Sequence, residues 1–138
     1  MASGIKIDIK GFDEMIDRLK NAGVDAKPVV DGYVKDAAKI QLEHLRHEMS
    51  ATGVAADLVG RAEASVEWEG DRCKASVGYK KGSYDPQNPS DGYKAVFINY
   101  GTPRIKPHEY LEPAKKSARK AINREMKKAM QKILEEVG

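Results

Sequence analysis

The sequence predicts an α+β domain: an antiparallel sheet of three to four strands packed against two long helices and one short helix. Three observations carry that expectation. Ile5, Ile7 and Ile9 alternate with Lys6, Asp8 and Lys10, the period of a half-buried strand. Two further alternating runs flank Gly70-Asp71, a two-residue loop that suits a hairpin. Two long stretches, from Pro28 to Met49 and from Pro113 onward, carry apolar residues at helical spacing.

Each element follows in order. Gly11 is read as the break after the first strand and Asp13 as the N-cap of a short helix, whose apolar positions are Phe12, Met15, Ile16 and Leu19. Gly23 is suited to the left-handed conformation that ends it. Pro28 is placed at the first position of the second helix, whose stripe is Val30, Tyr33, Val34, Ala37, Ala38, Leu42, Leu45 and Met49. The stretch 50–60, rich in small residues, reads as a mobile loop. Ala64, Val66 and Trp68 alternate with Glu63, Ser65, Glu67 and Glu69; Cys73, Ala75, Val77 and Tyr79 alternate with Arg72, Lys74 and Ser76. The acidic outer row of one strand then faces the basic outer row of the next.

The polar stretch near 80–92 reads as a second mobile loop, of a length that is functional or disordered in compact domains. Ala95 and Phe97 on one face, with Val96, Ile98 and Tyr100 on the other, predict a strand that is apolar on both faces. Pro113 is expected to open the last helix. Its stripe is Ala114, Ala118, Ala121, Ile122, Met126, Ala129, Met130, Ile133, Leu134 and Val137.

At 138 residues the chain is read as a single domain, 1–138, with loops near 50–60 and 80–92. Its 41% hydrophobic content suffices for a modest core, and the formal charge of +3 does not announce a nucleic-acid binder. The charge is unevenly spread. From Pro113 to the end there are eight Lys/Arg against three Glu, so the rest of the chain is net acidic. One cysteine excludes an internal disulfide framework and a four-cysteine zinc site. Neither a membrane-spanning segment nor a signal-peptide core is read, so the expectation is a protein that is soluble and not exported.

No residue set supports catalysis. His44 and His47 are three apart on a predicted helix, but a zincin would need His-Glu-x-x-His, and no third ligand is placed. Cys73 falls on the inward side of a strand and reads as a small buried hydrophobe. His108-Glu109 has no nucleophile or oxyanion hole beside it. Gly78-Tyr79-Lys80-Lys81-Gly82 matches neither a P-loop nor a dinucleotide fingerprint. No cofactor, metal or catalytic residue is therefore assigned, and the chain is read as not an enzyme. Lys116, Lys120, Arg124 and Lys127 mark a candidate interaction face with three open readings: a solvated surface, contact with DNA phosphates, or a partner-binding surface. Tyr79, Tyr84, Tyr93 and Tyr100 are read as sheet core and loop anchors before base-stacking platforms.

The segment from Tyr93 to Ala114 runs Tyr-Lys-Ala-Val-Phe-Ile-Asn-Tyr-Gly-Thr-Pro-Arg-Ile-Lys-Pro-His-Glu-Tyr-Leu-Glu-Pro-Ala. An apolar strand leads into Gly-Thr, a Pro-rich loop follows, and aromatic-Leu-x-Pro-Ala opens a helix. This order resembles the tail-component, or tail-completion, proteins of long-tailed double-stranded DNA bacteriophages and prophages. Ile5 to Lys20 and Thr52-Gly53 fit further elements of that pattern. Asn99, His108-Glu109 and Glu112 depart from it. The resemblance implies an architectural role for Phe97, Tyr100, Gly101, Thr102, Pro107, Tyr110, Leu111, Pro113 and Ala114. It also implies a structural virion protein of the neck, assembling with itself as a ring, six-fold by expectation, between the head connector or stopper protein and the tail-tube protein. Its place would be the virion neck, reached by assembly in the host cytoplasm without membrane contact. The alternative is a nucleic-acid-binding module that uses the basic C-terminal helix. A ring lumen would let weak, non-specific DNA contact occur under either reading.

Overall fold

The computed structural model describes residues 5–7, 10–23, 25–70, 72–79 and 90–137. It is an α+β fold in which strand β1 (Ile5–Ile7) leads into helices α1 (Lys10–Asn21), α2 (Ala26–Ala51) and α3 (Ala56–Gly60). Strands β2 (Glu63–Glu69) and β3 (Arg72–Gly78) follow, then helices α4 (Asp91–Tyr100) and α5 (Leu111–Val137).

The sheet is built on the β2–β3 hairpin. Its register pairs Glu69 with Arg72 across the two-residue loop, and Gly70 has the positive φ, 60°, that a primed turn requires at that position. Ala64, Val66 and Trp68 pair with Val77, Ala75 and Cys73 on the face turned inward, where Cys73, Ala75 and Val77 are buried. Glu67 stands opposite Lys74 on the outer face, and Lys74 Nζ reaches Glu69 Oε2 at 3.1 Å. β1 adds antiparallel to the other edge of β3, with Ile5 opposite Val77, giving the order β1-β3-β2. Ile9 lies outside the described residues.

Helix α2 is the central element, contacting β2 and β3, α1, α3 and α5. Asp25 caps it, its Oδ1 accepting the Lys27 N–H at 3.2 Å. Pro28 therefore sits two positions further into the helix than expected. It still falls within the first turn, where a missing N–H leaves no intrahelical bond unmade. Val30, Val34, Leu45 and Met49 are fully buried along the predicted stripe. The C-terminus closes as a Schellman motif: Gly53 N–H donates to Ser50 O, Val54 N–H donates to Met49 O, and Gly53 takes φ 81°. Trp68 Nε1 donates to Asp31 Oδ1 at 2.8 Å, tying the hairpin to α2, and Lys27 Nζ lies 5.5 Å from the Trp68 ring centroid.

Three expectations are corrected, and a fourth lies mostly outside the described residues. α1 begins at Lys10, so Gly11 and Asp13 lie inside it and Asp13 is not its cap. The first turn of a helix is where intrahelical bonding constrains residue choice least, and Gly is tolerated there. The 50–60 segment is not wholly loop: α2 runs to Ala51, and α3 forms to bury Leu58 and Val59. The 80–92 segment lies outside the described residues over 80–89, and Asp91 already belongs to α4. Most important, 95–100 is helix and not strand. Gly92, Ala95, Val96 and Asn99 are its buried positions, spaced i, i+3, i+4, i+7. A short run apolar on both faces fits a buried strand and a buried helix equally, and here the helix wins. Among the described residues no fourth strand joins the sheet.

Candidate functional site

The residues singled out between Phe97 and Ala114 assemble around the joint that carries the chain from α4 into α5. α4 ends where Gly101 N–H donates to Phe97 O at 2.8 Å. Gly101 has φ 79° and ψ 174°, a region open essentially to glycine alone. A Cβ there would stand 2.8 Å from Ile105 O and 2.9 Å from Pro107 Cδ, so the backbone fold-back requires glycine twice over. Thr102 folds the next turn. Its N–H donates to Ile105 O, and its Oγ1 accepts the N–H groups of Arg104 and Ile105 at 3.2 and 3.0 Å. His108 N–H then donates to Ile98 O at 2.8 Å, laying the loop back along α4.

Tyr110 is fully buried, and its hydroxyl donates to Ala95 O at 2.8 Å. Burial raises its phenol well above the usual range, with Tyr79 and Tyr100 adding to the effect. Leu111 and Ala114 are buried below it, and Ala114 N–H donates to Tyr110 O. Pro113 is exposed in the first turn of α5, two residues inside the helix that it was expected to open. Tyr100 is exposed on α4, while Phe97 is half-buried with its ring 6.3 Å from that of Tyr93.

One residue that organises this joint lacks any local signal. Asn99 is 4% exposed, and its Oδ1 accepts both the Tyr110 N–H at 2.9 Å and the Leu111 N–H at 3.1 Å. It satisfies the first orphan donors of α5 from the last turn of another helix. Caps are legible when they stand beside the helix they serve; this one stands eleven residues away from Tyr110.

From the joint, α5 runs along α2. Ala114 and Ala118 are fully buried, buried Gln41 donates through Nε2 to Ala114 O at 3.1 Å, and His44 Nδ1 lies 2.8 Å from Ser117 Oγ. Lys116, Lys120, Arg124 and Lys127 are all exposed, and none joins an ion pair among the described residues. Lys128 does, reaching Glu125 at 3.5 Å.

The remaining candidates are placed as follows. His47 is exposed, His44 is engaged with Ser117, and no group of three metal-binding side chains occurs among the described residues. Cys73 is buried, and burial pushes its thiol up. His108 and Glu109 are exposed in the loop. Tyr79 donates its hydroxyl to Leu58 O at 2.7 Å, and burial pushes its phenol up to about 12. Lys80, Lys81, Gly82 and Tyr84 lie outside the described residues. Among the described residues no helix is long and apolar enough to cross a membrane.

No family model, curated protein or solved structure matches the chain.

Proposed function

We propose that the chain is a structural subunit of the neck of a long-tailed double-stranded DNA phage or prophage, completing the tail or joining it to the head. One observation carries this reading: the order of motifs from Phe97 through Gly101-Thr102 and Pro107 to Tyr110-Leu111 and Pro113-Ala114, which resembles that of tail-component proteins, although helix α4 stands where that pattern expects a strand. Support comes from what those residues do in the fold. Most of them build a helix-to-helix joint, a mechanical element, and none is arranged as acid, base or nucleophile.

In this reading the subunit works by assembly, without a cofactor. A closed ring, six-fold by the resemblance, needs two different faces on each subunit. The polar outer face of the hairpin, with Ser65, Glu67, Lys74 and Ser76 exposed, is one. The outward segment with Tyr100 (48% exposed) and Ile105 (46%) is the other. The neighbours are the head connector or stopper on one side and the tail-tube protein on the other. The protein joins the virion in the host cytoplasm.

Electron microscopy of a lysate from a phage or prophage lacking this gene tests the reading. Filled heads lying apart from unattached tails are expected. Intact, infectious particles would overturn it.

A further inference from the structure

We infer that the solvent face of α5 docks along the phosphodiester backbone of duplex nucleic acid. Four features of the helix carry this.

The first is alignment. At 100° per residue, Lys116, Lys120, Arg124 and Lys127 fall within an arc of about 80° and span about 16 Å of helix axis. The second is orientation. On the opposite side of the same helix Ala114 and Ala118 are fully buried and Ile122, Met126 and Ala129 are partly buried against the core, so the cationic row points away from the protein. The third is availability: all four side chains are exposed and unpaired with carboxylates among the described residues. Lys116 to Lys120 and Lys120 to Arg124 are i, i+4 neighbours of like charge, an arrangement that disfavours the helix slightly. From 116 to 127 the row carries no acid, and Glu112 stands in line with it one turn before Lys116.

The fourth feature selects the partner. Between Leu111 and Ala129 no large apolar side chain of α5 is exposed; those described as exposed lie at Val29, Tyr93, Tyr100 and Ile105. Stable protein interfaces are anchored by a desolvated apolar or aromatic centre, which this face does not itself supply and which the segment with Tyr100 and Ile105 does. A membrane-surface helix needs its apolar side free to enter lipid, whereas from Leu111 to Ala129 the apolar side of this one packs on the core. A regular polyanion needs neither. Duplex DNA offers one charge about every 1.7 Å along its axis, so a row of about 16 Å always meets enough phosphates, whatever the base sequence.

The inference stands apart from the neck assignment and is tested without it. Fluorescence anisotropy of the full chain with a labelled duplex of about 20 base pairs is followed from about 50 to about 200 mM salt. Four phosphate contacts give a log–log slope near −3.6, an affinity loss of about 150-fold over that range. Lys120→Gln should lower the slope to about −2.7 and the loss to about 40-fold. Lys120→Arg should restore both, and Lys39→Gln, at an exposed position on α2, should change neither. Circular dichroism checks that each variant is folded. No binding at about 50 mM salt would overturn the inference. So would equal losses from Lys39→Gln and Lys120→Gln, or equally tight binding of poly-glutamate, which would point to an acidic protein surface.

Discussion

Asn99 caps a helix to which it does not belong: its side-chain oxygen receives the Tyr110 backbone N–H at 2.9 Å, and the Leu111 N–H with it. The bond runs in a region closed to water, since Asn99, Tyr110 and Leu111 are all buried. Asn99→Ala therefore strands two donors without replacement solvent, at a cost of about 1–3 kcal/mol. Asn99→Asp keeps the acceptor and places negative charge at the N-terminus of α5, where the helix dipole favours it. In urea denaturation the alanine variant should lose stability while the aspartate variant retains most of it. Equal stability of Asn99→Ala and the parent would remove the cap from the account.

Gly101 and Gly32 make an opposed pair. Gly101 combines a positive φ with no room for a methyl group, so Gly101→Ala should destabilise by about 2 kcal/mol or more. Gly32 lies inside α2 with nothing within 4 Å of an added Cβ. Gly32→Ala should stabilise by about 0.4–1 kcal/mol, because alanine loses less backbone freedom on folding. Thermal melts of the two variants should shift in opposite directions; shifts of the same sign would contradict the geometry at one of the sites.

The contrast between these positions shows how far the sequence carries. The hairpin was legible because strict alternation and Gly70 specify a register locally. The stripe of α2 was legible because 26 residues of one helix leave little ambiguity of period. α4 was not, because ten residues with apolar groups on every side satisfy both periods until packing chooses. The joint was half-legible. Its glycine and prolines announce a turn, but the role of Asn99 exists only once α4 and α5 have met.

Acid should loosen the contact between the end of α3 and the start of α4. Arg61 Nε donates to Asp91 Oδ2 at 2.7 Å and its Nη2 to Asp91 Oδ1 at 3.2 Å. This bonding, more than charge attraction at a distance, holds the Asp91 carboxyl below its ordinary value of 3.8, while the Arg61 guanidinium is shifted upward and stays charged. A carboxyl depressed in the folded state stabilises the fold above its unfolded pKa. That contribution fades as pH falls through the lower, folded value. Asp31, held down by Lys35 and Trp68, acts with the same sign. Urea midpoints should therefore fall as pH drops below about 4, and Asp91→Asn should flatten part of the decline. An unchanged pH profile in that variant would show that the pair is not coupled to folding.

Cys73 offers a probe of the sheet that is independent of its edges. Its side chain faces α2 beneath the hairpin, 1% exposed, opposite Trp68 in the register. Burial raises the thiol pKa, so both access and thiolate fraction are reduced together. Reaction with a thiol reagent in native buffer should be slower than in denaturant by at least about 100-fold, limited by opening of the hairpin from α2. Trp68→Ala removes the Nε1 bond to Asp31 and the ring packed against the core. That substitution should cost about 3 kcal/mol and raise the native labelling rate, because the opening it promotes is the one that exposes the thiol. Rapid labelling of the unmodified chain in native buffer would place Cys73 outside the core. Slow labelling that Trp68→Ala leaves untouched would tie thiol exposure to a local opening that does not break the Trp68 contacts.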